Sequence, residues 1–338
     1  MLLELNDVSL SLKRDGKYVK ILDGISLQVN KGETVGIVGE SGCGKSMTAL
    51  SVMRLLPEKA KLEGLIQLEK EDITSYSKRK MEKIRGDKMA MIFQDPLTSL
   101  NPLHTVGRQI EETLILHTDL NKEQRKRRVI ELLNEVGLPR AEEIASEYPH
   151  QLSGGMRQRI MIAVAMACNP SLLICDEPTT ALDVTVQAQI LDLMNHLKDV
   201  NEMGIIMITH DLGVVAEVCD RVVVMYAGKI VEQAEVKELF IHPKHPYTKG
   251  LLESIPKLGV KKAKLGSIPG MVPSPDKMPN GCRFYDRCSS SMEVCKGTTP
   301  PMSSVGEDHT AACWLYEEKG GEMNGSSGSE GLEATLHN

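Results

Sequence analysis

The most informative segment of the sequence is Leu152-Ser153-Gly154-Gly155-Met156-Arg157-Gln158, which leads into an apolar run from Ile160 to Cys168. A serine followed by two glycines at the start of such a run is typical of the N-terminus of a helix, where free backbone N–H groups bind anions. We therefore expect Ser153, Gly154 and Gly155 to form an anion-binding turn.

A second glycine-rich turn lies upstream, at Gly39-Glu40-Ser41-Gly42-Cys43-Gly44-Lys45-Ser46-Met47, directly after the short apolar run Thr34–Val38. Its glycines let backbone N–H groups converge on a phosphate at the start of a helix. We expect Lys45 to neutralise the β- and γ-phosphates of a nucleotide and the Ser46 hydroxyl to bind Mg²⁺. One chain does not need two anion-binding turns for one nucleotide, which indicates a dimer.

Two carboxylates end a later apolar run, Leu172-Leu173-Ile174-Cys175-Asp176-Glu177-Pro178. Asp176 is expected to hold the Mg²⁺ shell. Glu177 is placed to accept a proton from an attacking water, as a general base does. The alternative is that Glu177 only caps the turn before Pro178.

Residues 1–235 alternate between strand-like and helical patterns, which predicts an α/β domain that carries the two glycine-rich turns. The runs with the length and β-branched content of buried parallel strands are Ser171–Cys175, Ile205–Thr209 and Val222–Tyr226. The first two strands are predicted at Leu2–Leu10 and Ile25–Val29. The stretch from Pro102 to Tyr148 looks entirely helical, and we predict an inserted helical subdomain at about residues 102–160.

The composition changes after Glu235. Residues 236–316 are rich in Pro and Gly and contain four cysteines, at Cys282, Cys288, Cys295 and Cys313. We predict a small cysteine-rich accessory domain there, with too few apolar residues for a sizeable core. Residues 317–338 are dominated by Gly, Ser and Glu, which predicts a disordered tail.

Charge and hydropathy exclude two classes of protein. The net charge of −6 argues against a dedicated nucleic-acid binder. No apolar run approaches the roughly 18 residues that a membrane-spanning helix needs, and the start of the chain lacks the pattern of a secretion signal. The protein is therefore expected in the cytosol, with any membrane association made through partners.

In combination, the two glycine-rich turns and the acidic pair resemble the ATPase subunits of ABC transporters. The resemblance implies that the Ser153 turn closes over the γ-phosphate held by the opposite chain, so that a dimer encloses two ATP molecules. It also implies that Gln94 reaches Mg²⁺ and the lytic water, that His210 hydrogen-bonds the γ-phosphate, and that Asp183 crosses the dimer interface. Relatives stack adenine on an aromatic residue, but that position falls near Leu12, with Tyr18 the nearest aromatic, so the adenine contact stays open.

The C-terminal motif narrows the resemblance. The stretch His245-Pro246-Tyr247-Thr248-Lys249-Gly250-Leu251-Leu252, followed by the cysteines, is similar to ATPases of dipeptide, oligopeptide and nickel importers. This implies a peripheral protein on the cytoplasmic face of the membrane that powers peptide uptake through two transmembrane permease subunits. An extracytoplasmic binding protein would supply the peptide, and the second ATPase would be a copy or a paralogue of this chain.

Three other functions stay open beside peptide import. The cargo could be nickel or a nickel chelate, because cargo is chosen by other subunits. A soluble ABC-type ATPase of translation or DNA repair is disfavoured, because such proteins usually fuse two cassettes or insert long coiled coils. A regulatory subunit without catalysis is disfavoured because every catalytic position is filled.

The four C-terminal cysteines are candidate metal ligands. Their spacing is too open for a usual zinc ribbon, whose ligands are paired two to four residues apart. Four thiolates also suit an iron–sulfur cluster, and the resemblance implies a [4Fe-4S] cluster. Zinc and four free thiols are the alternatives. We expect loss of Cys288 to loosen residues beyond Glu235 while ATP binding by Lys45 stays intact.

Overall fold

The computed structural model describes residues 1–180, 182–254 and 268–317, so the tail predicted at residues 317–338 lies outside it except for Glu317. The strands of the described residues are β1 (Leu3–Arg14), β2 (Lys17–Val29), β3 (Thr34–Val38), β4 (Lys61–Leu68), β5 (Glu71–Asp72), β6 (Met89–Ile92), β7 (Leu172–Asp176), β8 (Gly204–Ile208), β9 (Arg221–Tyr226), β10 (Lys229–Glu235), β11 (Ser303–Gly306) and β12 (His309–Ala311). The α-helices are α1 (Lys45–Val52), α2 (Lys78–Ile84), α3 (Pro96–Ser99), α4 (Val106–His117), α5 (Lys122–Glu135), α6 (Ala141–Ser146), α7 (Gly154–Ala165), α8 (Val184–Asn201), α9 (Leu212–Val218), α10 (Val236–Ile241), α11 (Pro246–Glu253) and α12 (Val294–Gly297).

The larger sheet has eight strands in the order β11-β12-β10-β9-β3-β8-β7-β6. The five strands from β9 to β6 are parallel, and β10, β12 and β11 are antiparallel. Strands β3, β7 and β8 are buried at every residue. One face of the sheet packs on helices such as α7 and α8, and the other packs on α1 and the smaller sheet, so both faces favour apolar residues. The three runs predicted as parallel strands agree with β7, β8 and β9 to within one residue at each end.

The smaller sheet is antiparallel, in the order β2-β1-β4-β5. Strands β1 and β2 are longer than predicted, since they continue to a hairpin turn at Asp15 and Gly16, where φ is +46° and +80°. An Asp-Gly pair with positive φ at both residues is a common two-residue hairpin turn. The predicted strands stopped short because the hairpin tip is exposed and rich in charged residues, so it lacks an apolar pattern.

Residues 102–148, predicted to be entirely helical, contain helices α4, α5 and α6, which are separated by short non-helical segments. Helix α5 ends at Glu135, just before Gly137, and α6 ends at Ser146, before the short 3-10 turn that starts at Pro149. Buried side chains of α4, α5 and α7, such as Ile110, Leu132 and Ile160, belong to the same apolar core as β6 and β7. This core supports the helix that begins after Ser153.

The C-terminal residues share a core with the larger sheet. Strand β12 pairs with β10, with Ala311 opposite Glu232, and β11 pairs with β12. Tyr247 and Phe284 are 0% and 4% exposed and belong to the same apolar cluster as Val222, Val224 and Tyr226 of β9. The low apolar content noted in the sequence is therefore compensated by packing against β9 and β10. The boundary at residue 235 stays a prediction.

Candidate active site

The candidate site lies at the carboxyl ends of four neighbouring parallel strands. The glycine-rich loop Gly39–Met47 follows β3, Gln94 follows β6, and His210 follows β8. Asp176 is the last residue of β7, and Glu177 comes directly after it. In open α/β sheets, ligands bind at this edge because the loops that carry polar groups gather there. The strand order therefore places residues that are far apart in sequence beside one another.

The loop after β3 needs glycine at its start. Gly39 has φ of +151°, and a Cβ on it would lie 2.2 Å from the carbonyl oxygen of Met225 in β9. Gly44 is the N-cap residue of α1, has φ of +109° and supplies no side-chain cap. The first N–H groups of α1 are therefore left to a ligand, and an anion is the ligand that a helix N-terminus favours.

Lys45 and Ser46, at the start of α1, are held in different ways. Lys45 is 6% exposed, and its Nζ donates to the carbonyl oxygens of Gly39 at 2.7 Å and Glu40 at 3.3 Å. The Ser46 hydroxyl donates to Oδ1 of Asp176 at 3.0 Å. Burial raises the pKa of Asp176, and the hydrogen bond from Ser46 opposes that rise. A hydroxyl and a carboxylate are oxygen ligands that suit Mg²⁺, which usually keeps water and phosphate oxygens as its other ligands.

The Glu177 carboxylate contacts residues from the loops that follow three strands, β6, β7 and β8. Its Oε2 accepts hydrogen bonds from Nε2 of Gln94 at 2.9 Å and from the Thr180 hydroxyl at 3.0 Å. Its Oε1 lies 3.3 Å from Nδ1 of His210. Glu177 also has φ of +50°, a left-handed backbone that costs about 1–3 kcal/mol and is often found at functional sites. The bond from Thr180 fits the turn-capping alternative, but capping accounts for neither Gln94 nor His210.

Ser153 and Asp183 lie at exposed helix N-termini. The Ser153 hydroxyl accepts from the N–H of Met156 at 3.4 Å, and the Asp183 carboxylate accepts from the N–H of Val186 at 3.0 Å. The two helix ends are adjacent, since a Cβ on Gly155 would lie 3.0 Å from Cγ1 of Val186. Among the described residues, neither side chain bonds to the Glu177 group or to the Gly39–Met47 loop. Together the two ends form an exposed face.

The two residues considered for adenine stacking lie on the β1–β2 hairpin. Leu12 is partly buried and packs against an apolar core. Tyr18 is 45% exposed, and its ring centroid lies 4.0 Å from Nζ of Lys61. The side chain that stacks on adenine stays a prediction.

The four C-terminal cysteines are grouped in space. Cys295 is buried and the other three are half-buried, and the N–H of Cys282 donates to the Cys295 carbonyl at 2.8 Å. Burial, together with the neighbouring thiols of Cys295, Cys313 and Cys288, raises the pKa of Cys282 to about 11. The described part of the chain holds no group of three or more His, Cys, Asp or Glu placed to bind a single metal ion.

Two contacts to the phosphate loop were missed by sequence reasoning. Arg287 and Tyr247, both from the C-terminal segment, hydrogen-bond to Glu40. No periodicity or spacing predicts these contacts, because they join residues more than 200 positions apart. The Pro-Tyr-Thr stretch at Tyr247 was recognised only as a mark of the subfamily.

Comparison with known families gives two matches in this chain. The family described as "ABC transporter" matches residues 22–180. The family described as "Oligopeptide/dipeptide transporter, C-terminal region" matches residues 231–295. The first match covers the glycine-rich loop, the Ser153 turn and the acidic pair, and the second covers three of the four cysteines.

Similar proteins cover nearly the whole chain. The oligopeptide transport ATP-binding protein AppD of Bacillus subtilis (strain 168) is 50% identical over 96% of this chain and 99% of its own length. The dipeptide transport ATP-binding protein DppD of the same organism is 47% identical over 94% and 95%. Among solved structures, a dimeric post-hydrolysis state of the ATP-binding cassette MJ0796 bound to ADP and Pi is similar, with a TM-score of 0.63 and 29% identity. That similarity covers 70% of this chain and 99% of the other.

Proposed function

The chain belongs to the ATP-binding proteins of ABC transporters, and we propose that it hydrolyses ATP to power the import of peptides across the cytoplasmic membrane. The observation that carries the proposal is the convergence of Gln94 and His210 on Glu177, at the same sheet edge as Lys45 and Ser46. The match of residues 231–295 to the peptide-transporter C-terminal region supports peptide as the cargo.

The phosphate loop and its neighbours would bind the nucleotide. The N–H groups of residues 39–47 at the start of α1 would bind the phosphates, and Lys45 would neutralise the β- and γ-phosphates. Ser46, Asp176 and Gln94 would hold Mg²⁺, which supplies positive charge to the phosphate oxygens. Asp176 already accepts a hydrogen bond from Ser46, so two of these ligands lie side by side.

Glu177 would act as the general base of hydrolysis. It would accept a proton from a water whose oxygen bonds to the γ-phosphorus while the bond from that phosphorus to the β-bridging oxygen breaks. The hydrogen bonds from Gln94 and Thr180 to Oε2 fix the carboxylate. His210, whose Nδ1 lies near Oε1 of Glu177, would hydrogen-bond the γ-phosphate and so link it to the Glu177 carboxylate.

The second ATP-binding surface would be completed by another chain. Because Ser153, Gly154 and Asp183 are exposed, they are free to meet a partner ATPase. In the closed dimer the Ser153 turn would contact the γ-phosphate held by the partner, and Asp183 would cross the interface. As the ATP-binding subunit of a peptide importer, the chain would work with a second ATPase and a membrane permease. We propose two transmembrane permease subunits and a binding protein outside the membrane.

The described residues contain no helix long and apolar enough to cross a membrane. We therefore propose that the chain is held at the cytoplasmic face of the membrane by its permease. Within it, residues 1–235 would form the ATPase domain, with a helical subdomain at about 102–160, and residues 236–316 the accessory domain. We also propose that Cys282, Cys288, Cys295 and Cys313 hold a [4Fe-4S] cluster that stabilises the C-terminal segment.

The test is peptide-driven ATP hydrolysis by the chain purified with its membrane partners and placed in lipid vesicles. Peptide and binding protein should stimulate hydrolysis, and Glu177→Gln should bind ATP but hydrolyse it roughly 10²–10⁴-fold more slowly, the usual contribution of a positioned general base. Glu143→Gln, in the exposed part of α6, is the matched control and should match the wild type. Stimulation by nickel instead of peptide would assign the alternative cargo, and wild-type turnover in Glu177→Gln would reject the base.

A further inference from the structure

Glu40, the second residue of the phosphate loop, is bonded to the C-terminal segment through both its side chain and its backbone. Its carboxylate accepts two hydrogen bonds from Arg287, from Nη1 to Oε2 at 2.6 Å and from Nη2 to Oε1 at 2.9 Å. Its backbone N–H donates to the hydroxyl of Tyr247 at 2.8 Å. A bidentate pair of this kind fixes orientation as well as distance, because the guanidinium is planar and rigid.

Arg287 is itself held on every side. A guanidinium has five N–H donors, and five acceptors surround this one. Besides the two Glu40 oxygens, Nε donates to the Pro269 carbonyl at 2.8 Å, Nη1 lies 3.3 Å from the Tyr226 hydroxyl, and Nη2 lies 3.3 Å from the Ile268 carbonyl. The side chain is only 5% exposed. Arg287 therefore occupies one fixed position relative to the loop.

Tyr247 is fixed by packing on the larger sheet. It is 0% exposed, and its ring lies edge-on to Tyr226 with centroids 4.7 Å apart and 5.4 Å from the ring of Phe284. Tyr226 is the last residue of β9, the neighbour of β3 in the sheet. The Tyr247 hydroxyl is thus aligned with the loop that leaves β3.

The loop contacts have a consequence for charge. Glu40 carries a negative charge within the loop that would bind phosphates, and like charges at short distance repel each other. Arg287 neutralises that charge. The Glu40 carbonyl is also one of the two that Lys45 contacts, so a shift of Glu40 would move Lys45 as well.

We propose that Arg287 and Tyr247 are positioning residues of the nucleotide site, and that Arg287 also screens Glu40 from the phosphates of ATP. The C-terminal segment is then part of the ATP site. This proposal rests on the proposed function, since it requires that the loop Gly39–Met47 bind ATP. It differs from the expectation from sequence that ATP binding by Lys45 stays intact when Cys288 is lost.

A second arginine of the same segment provides the matched control. Arg283 is similarly buried, at 11% side-chain exposure, and pairs with Asp23. It also donates to the carbonyl of Ala227. Arg283 thus fastens the segment to the rest of the protein without a hydrogen bond to the phosphate loop. Arg283→Ala removes such a tether and keeps the Glu40 contacts.

The experiment measures the dissociation constant for ATP and the KM and kcat of hydrolysis in the full-length chain with its partners. Arg287→Ala should weaken ATP binding about tenfold, or about 1.4 kcal/mol, because Glu40 is left unpaired. Adding Glu40→Gln to Arg287→Ala should restore much of the affinity. Arg287→Lys, which keeps the charge without the bidentate geometry, should fall between wild type and Arg287→Ala, and Tyr247→Phe should raise KM more than it changes kcat.

The outcomes separate this proposal from a structural role and from the proposed function. Thermal unfolding identifies variants that remain folded. A folded Arg287→Ala with wild-type ATP affinity, an equal loss in Arg283→Ala, or no recovery in the double variant would each overturn the proposal. Failure of the wild-type chain to bind ATP would instead overturn the proposed function.

Discussion

The carboxylate of Asp176 has a position that favours ligand binding over stability. It ends a fully buried strand and accepts a hydrogen bond from Ser46, yet burial raises its pKa above the ordinary value, with Glu177 adding to the rise. A raised pKa means that the charged form is penalised in the folded protein. A metal ion that binds the carboxylate would relieve this penalty.

Asp176→Asn should therefore stabilise the nucleotide-free chain at neutral pH while abolishing the Mg²⁺ dependence of ATP binding. Because the pKa is raised in the folded state, the stability that this group contributes is present below its unfolded pKa and is lost as pH rises through the folded value. The Asn side chain keeps an acceptor for Ser46 and carries no charge. The test is thermal unfolding of both proteins from pH 3.5 to 8, an interval that starts just below the ordinary carboxyl pKa of about 3.9. If Asp176→Asn unfolded at a lower temperature than the wild type at pH 7, the predicted stabilisation would be wrong.

Residue types and spacing predicted Lys45, Ser46, Asp176 and Glu177 as candidates, and the resemblance added Gln94 and His210, but neither predicted the contacts between them. Gln94, Glu177 and His210 follow three different apolar runs, so their gathering could be expected from a parallel sheet. The left-handed backbone of Glu177 and the bond from Thr180 could not, because both depend on the turn that the tertiary structure imposes on this residue.

At the scale of elements, helices α1 and α7 begin with glycine-rich turns that differ in one respect. Helix α1 has Gly44 as its N-cap residue and no side-chain cap, whereas Ser153 caps α7 through the N–H of Met156. The first N–H groups of α1 are thus left for the phosphates of a nucleotide bound to the same chain. The end of α7 is already capped and exposed, as expected for a surface that meets a ligand only in a closed dimer.

Substitutions at the two helix ends should have separable effects. Lys45→Ala should weaken ATP binding roughly 10–100-fold, since a hydrogen bond to a charged group contributes about 1.5–3 kcal/mol. Ser153→Arg should leave ATP binding nearly unchanged but prevent ATP-dependent dimerisation and hydrolysis, because a bulky cation fills the interface. Nucleotide titration and light scattering measure both effects, with Ser153→Ala as the control for loss of the cap. Equal loss of ATP affinity in both variants would reject the role of the turn in the partner's site.

The sequence predicted the strands whose residues are buried without a break, and it did not predict those that alternate between buried and exposed residues. Strands β7, β8 and β9 are buried at nearly every residue, so each appears in the sequence as an unbroken apolar run. Strands β11 and β12 are short and mix polar with small residues. They exist because β12 pairs with β10 across a long stretch of chain, and no local pattern records that pairing.

At the scale of the whole molecule, a buried hydrogen-bonded pair joins the C-terminal strands to the larger sheet. Glu232 in β10 and His309 in β12 are both fully buried, and Nε2 of His309 lies 2.7 Å from Oε1 of Glu232. The same carboxylate accepts from the N–H groups of Lys244 and His245 at 2.7 and 2.8 Å. One buried acid therefore holds β12 and the start of α11 together.

His309→Leu should lower the free energy of unfolding by about 3 kcal/mol, because the buried Glu232 carboxylate loses one of its hydrogen-bond partners. Urea unfolding of the full chain measures the loss. His242→Leu is the matched control, since His242 pairs with Glu238 at 59% side-chain exposure and exposed pairs contribute about 0–1 kcal/mol. A loss in His309→Leu no larger than in His242→Leu would show that the buried pair does not support the C-terminal strands.

The proposed [4Fe-4S] cluster predicts a coloured protein. Protein purified without oxygen should be brown and contain about four irons per chain, as a four-iron cluster requires. Cys288→Ser should lose iron and colour, whereas Cys168→Ser, which alters a thiol near α4, should keep both. Colourless protein with one zinc per chain would assign the zinc alternative, and metal-free protein with an ordered C-terminal segment would reject both metals.

Cys288 also adjoins Arg287, so the cysteine group and the ATP site should be energetically coupled. The 3-10 turn Tyr285–Arg287 ends at Cys288, and loosening that turn would shift the guanidinium that pairs with Glu40. Cys288→Ser should therefore weaken ATP binding by less than Arg287→Ala does. It should have no further effect when Arg287→Ala is already present, because the effects of two substitutions that act through one contact are not additive. ATP titration of the two single variants and the double variant measures this coupling. Wild-type ATP affinity in an iron-free Cys288→Ser would show that the cysteines and the phosphate loop act independently, whereas additive losses would place the coupling outside Arg287.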